Sequence, residues 1–270
     1  MTRIKAVVFD WAGTMVDFGC RAPVEALIDA FAAEGVTLST AAARREMGMA
    51  KRAHVAAILA NPEVVESWIE ARGAEPGEAD LERIFQALGP LMIRSADRCS
   101  DLIPGAARVA QDLEARGVRI GSGTGYSPDM MAPILRRAAE QGYAPEVVIC
   151  AGDTPTGRPS PQPLWQALIR LDAWPAHLCV KVDDAEVGVQ EGRHAGCWTV
   201  GVAASGNGVG LSLEELNALS EDDRRARIGL AGAVLKGAGA HLIIDSVADL
   251  PVALEEIERR IAAGERPGQI

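Results

Sequence analysis

Acidic residues follow two of the short apolar runs in this sequence, and their positions are suited to phosphoryl chemistry. Asp10 follows the run IKAVVF (4–9), and Asp183 and Asp184 follow the run LCVKV (178–182). Carboxylate oxygens are ligands that Mg²⁺ prefers, and a carboxylate also acts as a nucleophile in covalent catalysis. Because two buried carboxylates repel each other unless a cation lies between them, the pair favours a Mg²⁺ site.

Two other loops carry groups that bind anions. The segment GSGTGY (121–126) contains Thr124 and Gly125, and its hydroxyl and backbone N–H groups are suited to hold phosphate oxygens near a helix N-terminus. Arg158 lies between Gly157 and Pro159, where its guanidinium is able to neutralise a phosphoryl group. Each feature alone is ordinary, since Gly/Ser loops are common turns and an isolated Arg is as often a surface residue. Their meaning depends on the elements that position them.

Apolar runs rich in Val and Ile recur along the chain and alternate with helical patterns. This alternation predicts an α/β fold with a doubly wound, Rossmann-like parallel sheet. The predicted strands cover 4–9, 118–122, 146–150, 178–182, 198–202 and 241–244, and the predicted helices between them cover 105–116, 128–141, 161–172 and 186–195.

One interval lacks any strand-like run. Between Asp17 and about Ser100 the sequence contains only amphipathic helical segments, at 23–34, 40–47, 51–60, 62–71 and 79–95. We therefore predict an all-helical cap inserted after the first strand, with the cap at 19–99 and the core at 1–18 and 100–270. An insertion at this point stands over the carboxyl ends of the strands, where open α/β sheets bind ligands.

Composition excludes several classes of partner. The chain of 270 residues has a formal net charge of −10 and no basic cluster, which argues against nucleic-acid binding. No run approaches the length of a membrane span, and no apolar signal core follows Met1. Five cysteines lie singly, without a zinc-binding spacing. We expect reduced thiols, a cytoplasmic location and a small anionic substrate.

The order of these parts resembles the haloacid dehalogenase superfamily over essentially the whole chain. The resemblance implies that Asp10 is the nucleophile and forms an aspartyl phosphate, and that Asp10, the backbone carbonyl of Ala12 and Asp184 hold Mg²⁺. Two positions depart from the superfamily's pattern. Ala12 replaces the second Asp that usually serves as general acid in its phosphatases, and Gly188 stands where many members have another acid. Asp183 or water is expected to complete the metal shell.

A lysine in the predicted cap offers an explanation for the missing acid at Ala12. Lys51 lies in MGMAK (47–51), and this segment, with FDWAGT (9–14), FGC (18–20), GTGY (123–126), AGCWTVGV (195–202) and GNGVGLSLEEL (206–216), resembles the phosphonoacetaldehyde hydrolases. The resemblance implies that Lys51 forms a Schiff base with an aldehyde substrate and that the chain is a homodimer. It also places four possible proton-transfer or positioning groups around the amine, namely Cys20, Met47, His54 and Tyr126.

A Schiff base removes the need for an acid at Ala12. Direct cleavage of a carbon–phosphorus bond expels a carbanion, whereas a protonated imine at Lys51 accepts those electrons and leaves as an enamine. The resemblance therefore implies hydrolysis of phosphonoacetaldehyde, and with it a role in the degradation of phosphonates such as 2-aminoethylphosphonate. Two alternatives stay open: a phosphomonoesterase or phosphosugar mutase on the same scaffold, and a non-catalytic relative that binds a phosphorylated metabolite. A Lys on a helix is otherwise most often a solvated surface charge.

Overall fold

The computed structural model describes residues 3–268, except for the side chains of 96–98. Its centre is a six-stranded sheet in which every pairing is parallel, with the strand order β3-β2-β1-β4-β5-β6. This confirms the predicted fold class. The strands are β1 (Ala6–Phe9), β2 (Arg119–Gly123), β3 (Val147–Ile149), β4 (Cys179–Asp183), β5 (Trp198–Val202) and β6 (Leu242–Ile244).

The register of the central strands brings distant loops to one edge of the sheet. Phe9, at the end of β1, lies opposite Ser122 of β2 and Val182 of β4. The backbone N–H of Asp10 then donates to the carbonyl of Val182 at 2.9 Å. The loops that follow these three strands consequently begin at the same level, which is why residues more than a hundred positions apart share one site.

Both faces of the sheet are covered, as a parallel sheet requires. Val7 and Phe9 of β1 belong to the largest apolar cluster, and Ala6 and Val8 belong to a second cluster with residues of α8. This alternation follows from the two-residue period of a strand. The helices of the core are α6 (Ala106–Ala115), α7 (Pro128–Glu140), α8 (Gln162–Arg170), α9 (Glu186–His194), α10 (Leu213–Ala218), α11 (Glu221–Gly237) and α12 (Leu250–Ala262).

The segment between β1 and α6 contains five helices and, among its described residues, no strand. They are α1 (Ala22–Ala32), α2 (Thr40–Arg44), α3 (Lys51–Leu59), α4 (Pro62–Arg72) and α5 (Glu78–Cys99). Helix α2 was predicted to reach residue 47 but ends at Arg44. Glu46 and Gly48 have positive φ values of 61° and 93°, which a helix does not accommodate, so Met47 lies in a loop.

Two chain segments connect the cap helices to the core, and they pair with each other. Val16 forms an antiparallel bridge with Leu102, and the N–H of Ile103 donates to the carbonyl of Met15 at 2.9 Å. The predicted boundaries at 18/19 and 99/100 lie beside this pairing, and we retain them as a proposal. Among residues 3–268, no helix combines the length and the apolar character that crossing a bilayer requires.

The cap has its own apolar interior, which generates a stability prediction. Trp68 of α4 is 1% exposed and its ring meets Phe31 of α1 edge-on, with the ring centroids 6.3 Å apart. We expect Trp68→Ala to lower the free energy of unfolding by about 3–5 kcal/mol, because it leaves a large cavity. Urea denaturation measures the loss. Glu70→Ala, on the exposed side of the same helix, is the matched control, and an equal effect of both changes would contradict the packing described.

Candidate active site

A cavity lies between the carboxyl edge of the sheet and the cap loop 45–50. Its lining residues come from both the core and the cap. Nine of the eleven residues that the sequence pointed to line it: Asp10, Ala12, Cys20, Met47, Lys51, Thr124, Gly125, Tyr126 and Asp184. The other two, Arg158 and His54, lie behind this lining.

Asp10 and Arg158 form a buried ion pair on the sheet side of the cavity. Arg158 Nη1 donates to Asp10 Oδ1 at 2.7 Å, and Arg158 Nη2 donates to the carbonyl of Gly123 at 2.6 Å. Burial, followed by the charge of Asp183, raises the pKa of Asp10 to about 6. Asp10 is therefore a carboxylate at neutral pH, and the guanidinium fixes one oxygen while the other remains available for attack.

Three carboxylates converge beside this pair. Asp10, Asp183 and Asp184 each offer an oxygen, these oxygens lie within 4.8 Å of one another, and all three residues are buried. Burial, with the charges of Asp10 and Asp183, raises the pKa of Asp184 well above its ordinary value. Hard oxygen donors that repel one another in a dry site are the donor set of a Mg²⁺ ion, so the residues present fit that metal.

Asp183 fills the space that an acid at position 188 would need. A Cβ atom built on Gly188 would overlap the carboxylate of Asp183. Asp183 Oδ1 accepts a hydrogen bond from the N–H of Ala185 at 3.0 Å, which holds the carboxylate there. The departure at Gly188 therefore goes together with the presence of Asp183, whose carboxylate reaches the site from β4.

Lys51 is the first residue of α3 and is 3% exposed. Its Nζ donates to Met47 Sδ at 3.5 Å and lies 5.0 Å from the centroid of the Tyr126 ring. Burial lowers the pKa of Lys51 from 10.5 to about 8, which leaves an appreciable fraction of the amine neutral near pH 7. A neutral amine facing a cavity is suited to attack a carbonyl carbon.

Glycines allow the loop that carries Lys51 to lie against the core. The Lys51 N–H donates to the carbonyl of Gly125 at 3.2 Å, and a Cβ on Gly125 would overlap the backbone of Met49. A Cβ on Gly48 would lie 2.9 Å from Ala185 and from Val187. The absence of side chains at Gly48 and Gly125 therefore sets how closely the amine approaches the sheet.

The four groups predicted around the amine have different surroundings. His54 is fully buried against the backbone of Ala43 and Arg45, and burial with the Lys51 charge lowers its pKa to about 3. Burial raises the pKa of the Cys20 thiol and of the Tyr126 phenol well above their ordinary values. Thr124 Oγ1 accepts from the Tyr126 N–H at 3.1 Å, which shapes the loop beside the cavity. Cys20, His54 and Tyr126 are thus neutral near pH 7.

Two charged residues beneath the site were not predicted from the sequence. Lys181 of β4 is 1% exposed, and its Nζ lies 3.0 Å from Asp183 Oδ2 and 3.3 Å from Glu191 Oε2. Glu191 of α9 also lies 3.2 Å from Arg158 Nε. A Lys in the middle of the apolar run LCVKV was the available signal, since a charge in a buried strand requires a partner.

Known proteins resemble this chain in sequence and in fold. The model of the haloacid dehalogenase-like hydrolases matches residues 4–196. The phosphonoacetaldehyde hydrolase of Paraburkholderia phytofirmans is 46% identical over 99% of this chain and all of its own length, and that of Hahella chejuensis is 44% identical over 98% and 90%. The chain belongs to the phosphonoacetaldehyde hydrolase family. Within this family, the crystal structure of a phosphonoacetaldehyde hydrolase-like protein from Oleispira antarctica has a TM-score of 0.96, with 41% identity and coverage of 98% and 96%.

The overlap between the Asp183 carboxylate and a side chain at position 188 yields a prediction. We expect Gly188→Asp to destabilise the protein, because two carboxylates would compete for one buried volume. Asp183→Gly leaves that volume empty of charge and is expected to weaken Mg²⁺ binding. The double variant Asp183→Gly/Gly188→Asp is expected to recover much of both losses. Thermal denaturation measures the stability of each variant, and isothermal titration calorimetry measures its affinity for Mg²⁺. A double variant no better in either property than the worse single variant would contradict the shared use of this volume.

Proposed function

We propose that this protein hydrolyses the carbon–phosphorus bond of phosphonoacetaldehyde to acetaldehyde and orthophosphate. The observation that carries the proposal is that one cavity is lined by a buried Lys with a lowered pKa and by a carboxylate paired with an Arg. Ala12 lies in the same lining and has no acid to protonate an alkoxide. The names of the relatives, which are phosphonoacetaldehyde hydrolases, support the same substrate.

In the first step, neutral Lys51 attacks the aldehyde carbon and forms a carbon–nitrogen bond. Loss of water from the resulting carbinolamine gives a protonated imine. Met47 Sδ, 3.5 Å from Nζ, orients the amine toward the cavity. The Tyr126 phenol stays protonated and its oxygen lacks a partner among the described residues, so it is available to donate a hydrogen bond to the carbinolamine hydroxyl, which leaves as water with a proton taken up from solvent.

In the second step, Asp10 attacks phosphorus and the carbon–phosphorus bond breaks. Its electron pair moves into the imine and produces a neutral enamine on Lys51, while the phosphoryl group becomes an aspartyl phosphate. Arg158 neutralises the phosphoryl oxygens beside Asp10, and the loop at Thr124 and Gly125 provides hydroxyl and N–H donors to them. Protonation of the enamine at carbon and hydrolysis of the imine release acetaldehyde, and water cleaves the acyl phosphate.

Mg²⁺ is the proposed cofactor, held by Asp10, the backbone carbonyl of Ala12 and Asp184, with Asp183 completing the acidic shell. The ion supplies positive charge that screens the approach of one anion to another. The support for it is the convergence of three buried carboxylates, which the neighbouring Arg158 and Lys181 do not neutralise in full.

We further propose a cytoplasmic location, a homodimeric state and a metabolic role for this protein. A cytoplasmic location is supported by five cysteines that all carry free thiols. A homodimer is proposed from the family resemblance. The role in 2-aminoethylphosphonate degradation follows from the substrate, since the aldehyde is the product expected when that amine is removed.

Borohydride trapping tests the Lys51 step directly. With phosphonoacetaldehyde and borohydride, we expect irreversible loss of activity and a reduced adduct that peptide mapping places on Lys51, because hydride converts the imine to a stable secondary amine. Lys51→Arg should give no adduct and no phosphate release. Asp10→Asn is the matched control, since it should still form the adduct while releasing no phosphate.

The same experiment separates the competing functions. Turnover that borohydride does not affect would overturn the Schiff-base mechanism. Hydrolysis of p-nitrophenyl phosphate at a rate comparable with that of phosphonoacetaldehyde would favour a phosphomonoesterase. A chain that binds the substrate but neither traps it nor releases phosphate would be a non-catalytic relative.

The lowered pKa of Lys51 predicts a pH profile for imine formation. Because only the neutral amine attacks, the initial rate of trapping by cyanoborohydride should rise with pH and level off above about 8. Below that point the rate should fall about tenfold per pH unit, as the amine becomes protonated. A midpoint near the ordinary lysine value of 10.5 would contradict the effect of burial.

A further inference from the structure

The segment GNGVGL (206–211) resembles the family's sequence, yet none of the proposed chemical steps uses it. It follows β5 and passes between the cap and Asp184. The backbone N–H of Asn207 donates to Asp184 Oδ2 at 2.6 Å, and a Cβ on Gly206 would lie 2.6 Å from Asp184 Cβ. One side of this segment therefore fixes the orientation of a proposed metal ligand.

The other side of the segment receives Arg44, the last residue of α2 in the cap. Arg44 Nη1 donates to Asn207 Oδ1 at 3.0 Å, and Arg44 Nη2 donates to the carbonyl of Gly210 at 2.9 Å. Asn207 Nδ2 donates in return to the carbonyl of Arg44 at 3.3 Å. A Cβ on Gly210 would lie 2.7 Å from the guanidinium carbon, so the glycine leaves the space that Arg44 fills.

Arg44 also holds the start of the cap. Its Nη1 lies 3.0 Å from the carbonyl oxygen of Gly19 and 3.3 Å from that of Cys20. Helix α2 ends at Arg44, and the loop after it leads to Lys51 at the start of α3. The hydrogen bonds of the Arg44 guanidinium thus help to fix the position of the Lys51 loop on the core.

We propose that Arg44 and Asn207 are positioning residues that couple closure of the cap over Lys51 to cation binding at Asp184. When the Arg44 guanidinium and carbonyl are bonded to the Asn207 side chain, the backbone N–H of Asn207 is fixed toward Asp184. When the cap lifts, Asn207 loses the two side-chain bonds to Arg44, and Asp184 loses a fixed donor. Because linkage is reciprocal, a cation that requires the ordered Asp184 favours the closed cap, and the closed cap tightens cation binding.

The inference rests on the proposed function for the identity of the cation, and its test uses neither an imine nor turnover. Cys20, at the start of the cap, lines the cavity and is 3% exposed, so its alkylation by iodoacetamide, followed by peptide mapping, measures opening of the cavity. In the unsubstituted protein we expect Mg²⁺ to slow this alkylation at least about fivefold, which is the lower end of typical couplings between sites.

Asn207→Ala is the decisive variant, because it removes the link to Arg44 and keeps the backbone N–H that serves Asp184. We expect the Mg²⁺ protection of Cys20 to fall below about twofold, and the Mg²⁺ dissociation constant from calorimetry to rise by the factor lost. Arg44→Ala should have the same effect, and the double variant should add little to either single change. Arg45→Ala, at the exposed neighbouring position, is the matched control and should retain full protection.

The outcomes distinguish this inference from the proposed function. Full Mg²⁺ protection in Asn207→Ala, or no effect of Mg²⁺ on Cys20 in the unsubstituted protein, would overturn the coupling. If Arg44→Ala fails to fold, as judged by circular dichroism, Asn207→Ala decides alone. Loss of borohydride trapping with the coupling intact would instead refute the Schiff base and leave the positioning role in place.

Discussion

Mutual repulsion among buried carboxylates is the constraint on which the rest of this structure depends. Asp10, Asp183 and Asp184 converge at the carboxyl edge of the sheet, and Arg158 and Lys181 lie among them. An uncompensated buried charge costs several kcal/mol, so the carboxylates need the cations of Arg158 and Lys181 beside them. The network therefore holds the proposed nucleophile Asp10, the proposed phosphoryl-binding Arg158 and the proposed metal ligands in one unit beneath the cavity.

The cap completes this unit by excluding water from above, and burial then acts on the two reacting groups in opposite directions. It raises the pKa of Asp10 to about 6 and lowers that of Lys51 to about 8. For the proposed reaction the first group must be charged and the second neutral. Desolvation favours the neutral amine of Lys51 but disfavours the carboxylate of Asp10, whose charge is supported by the neighbouring Arg158 and Lys181.

Parallel strands end at a common edge, so the strand pattern placed Asp10, Thr124, Arg158 and Asp184 at one edge of the sheet, and the family resemblance supplied their predicted roles. The fold prediction and the family resemblance are confirmed, while the roles of individual residues remain predictions. What the sequence did not indicate depends on three-dimensional register. Contacts such as those of Lys181 with Glu191 and of Arg44 with Asn207 require strand and helix orientations that periodicity does not specify. Residues 206–216 were noted only as a family-like stretch, and no contact to Asp184 was inferred.

The position of Asp183 has a consequence for how such sites change during evolution. Its carboxylate occupies the volume that a side chain at Gly188 would need, so the two positions share a single acid. A chain that moves the acid from one position to the other by single substitutions must pass through a state with two carboxylates in that volume or with none. Either state is expected to be less stable or to bind a cation more weakly. A description of the site by linear spacing alone would miss that Asp183 and a side chain at position 188 compete for the same volume.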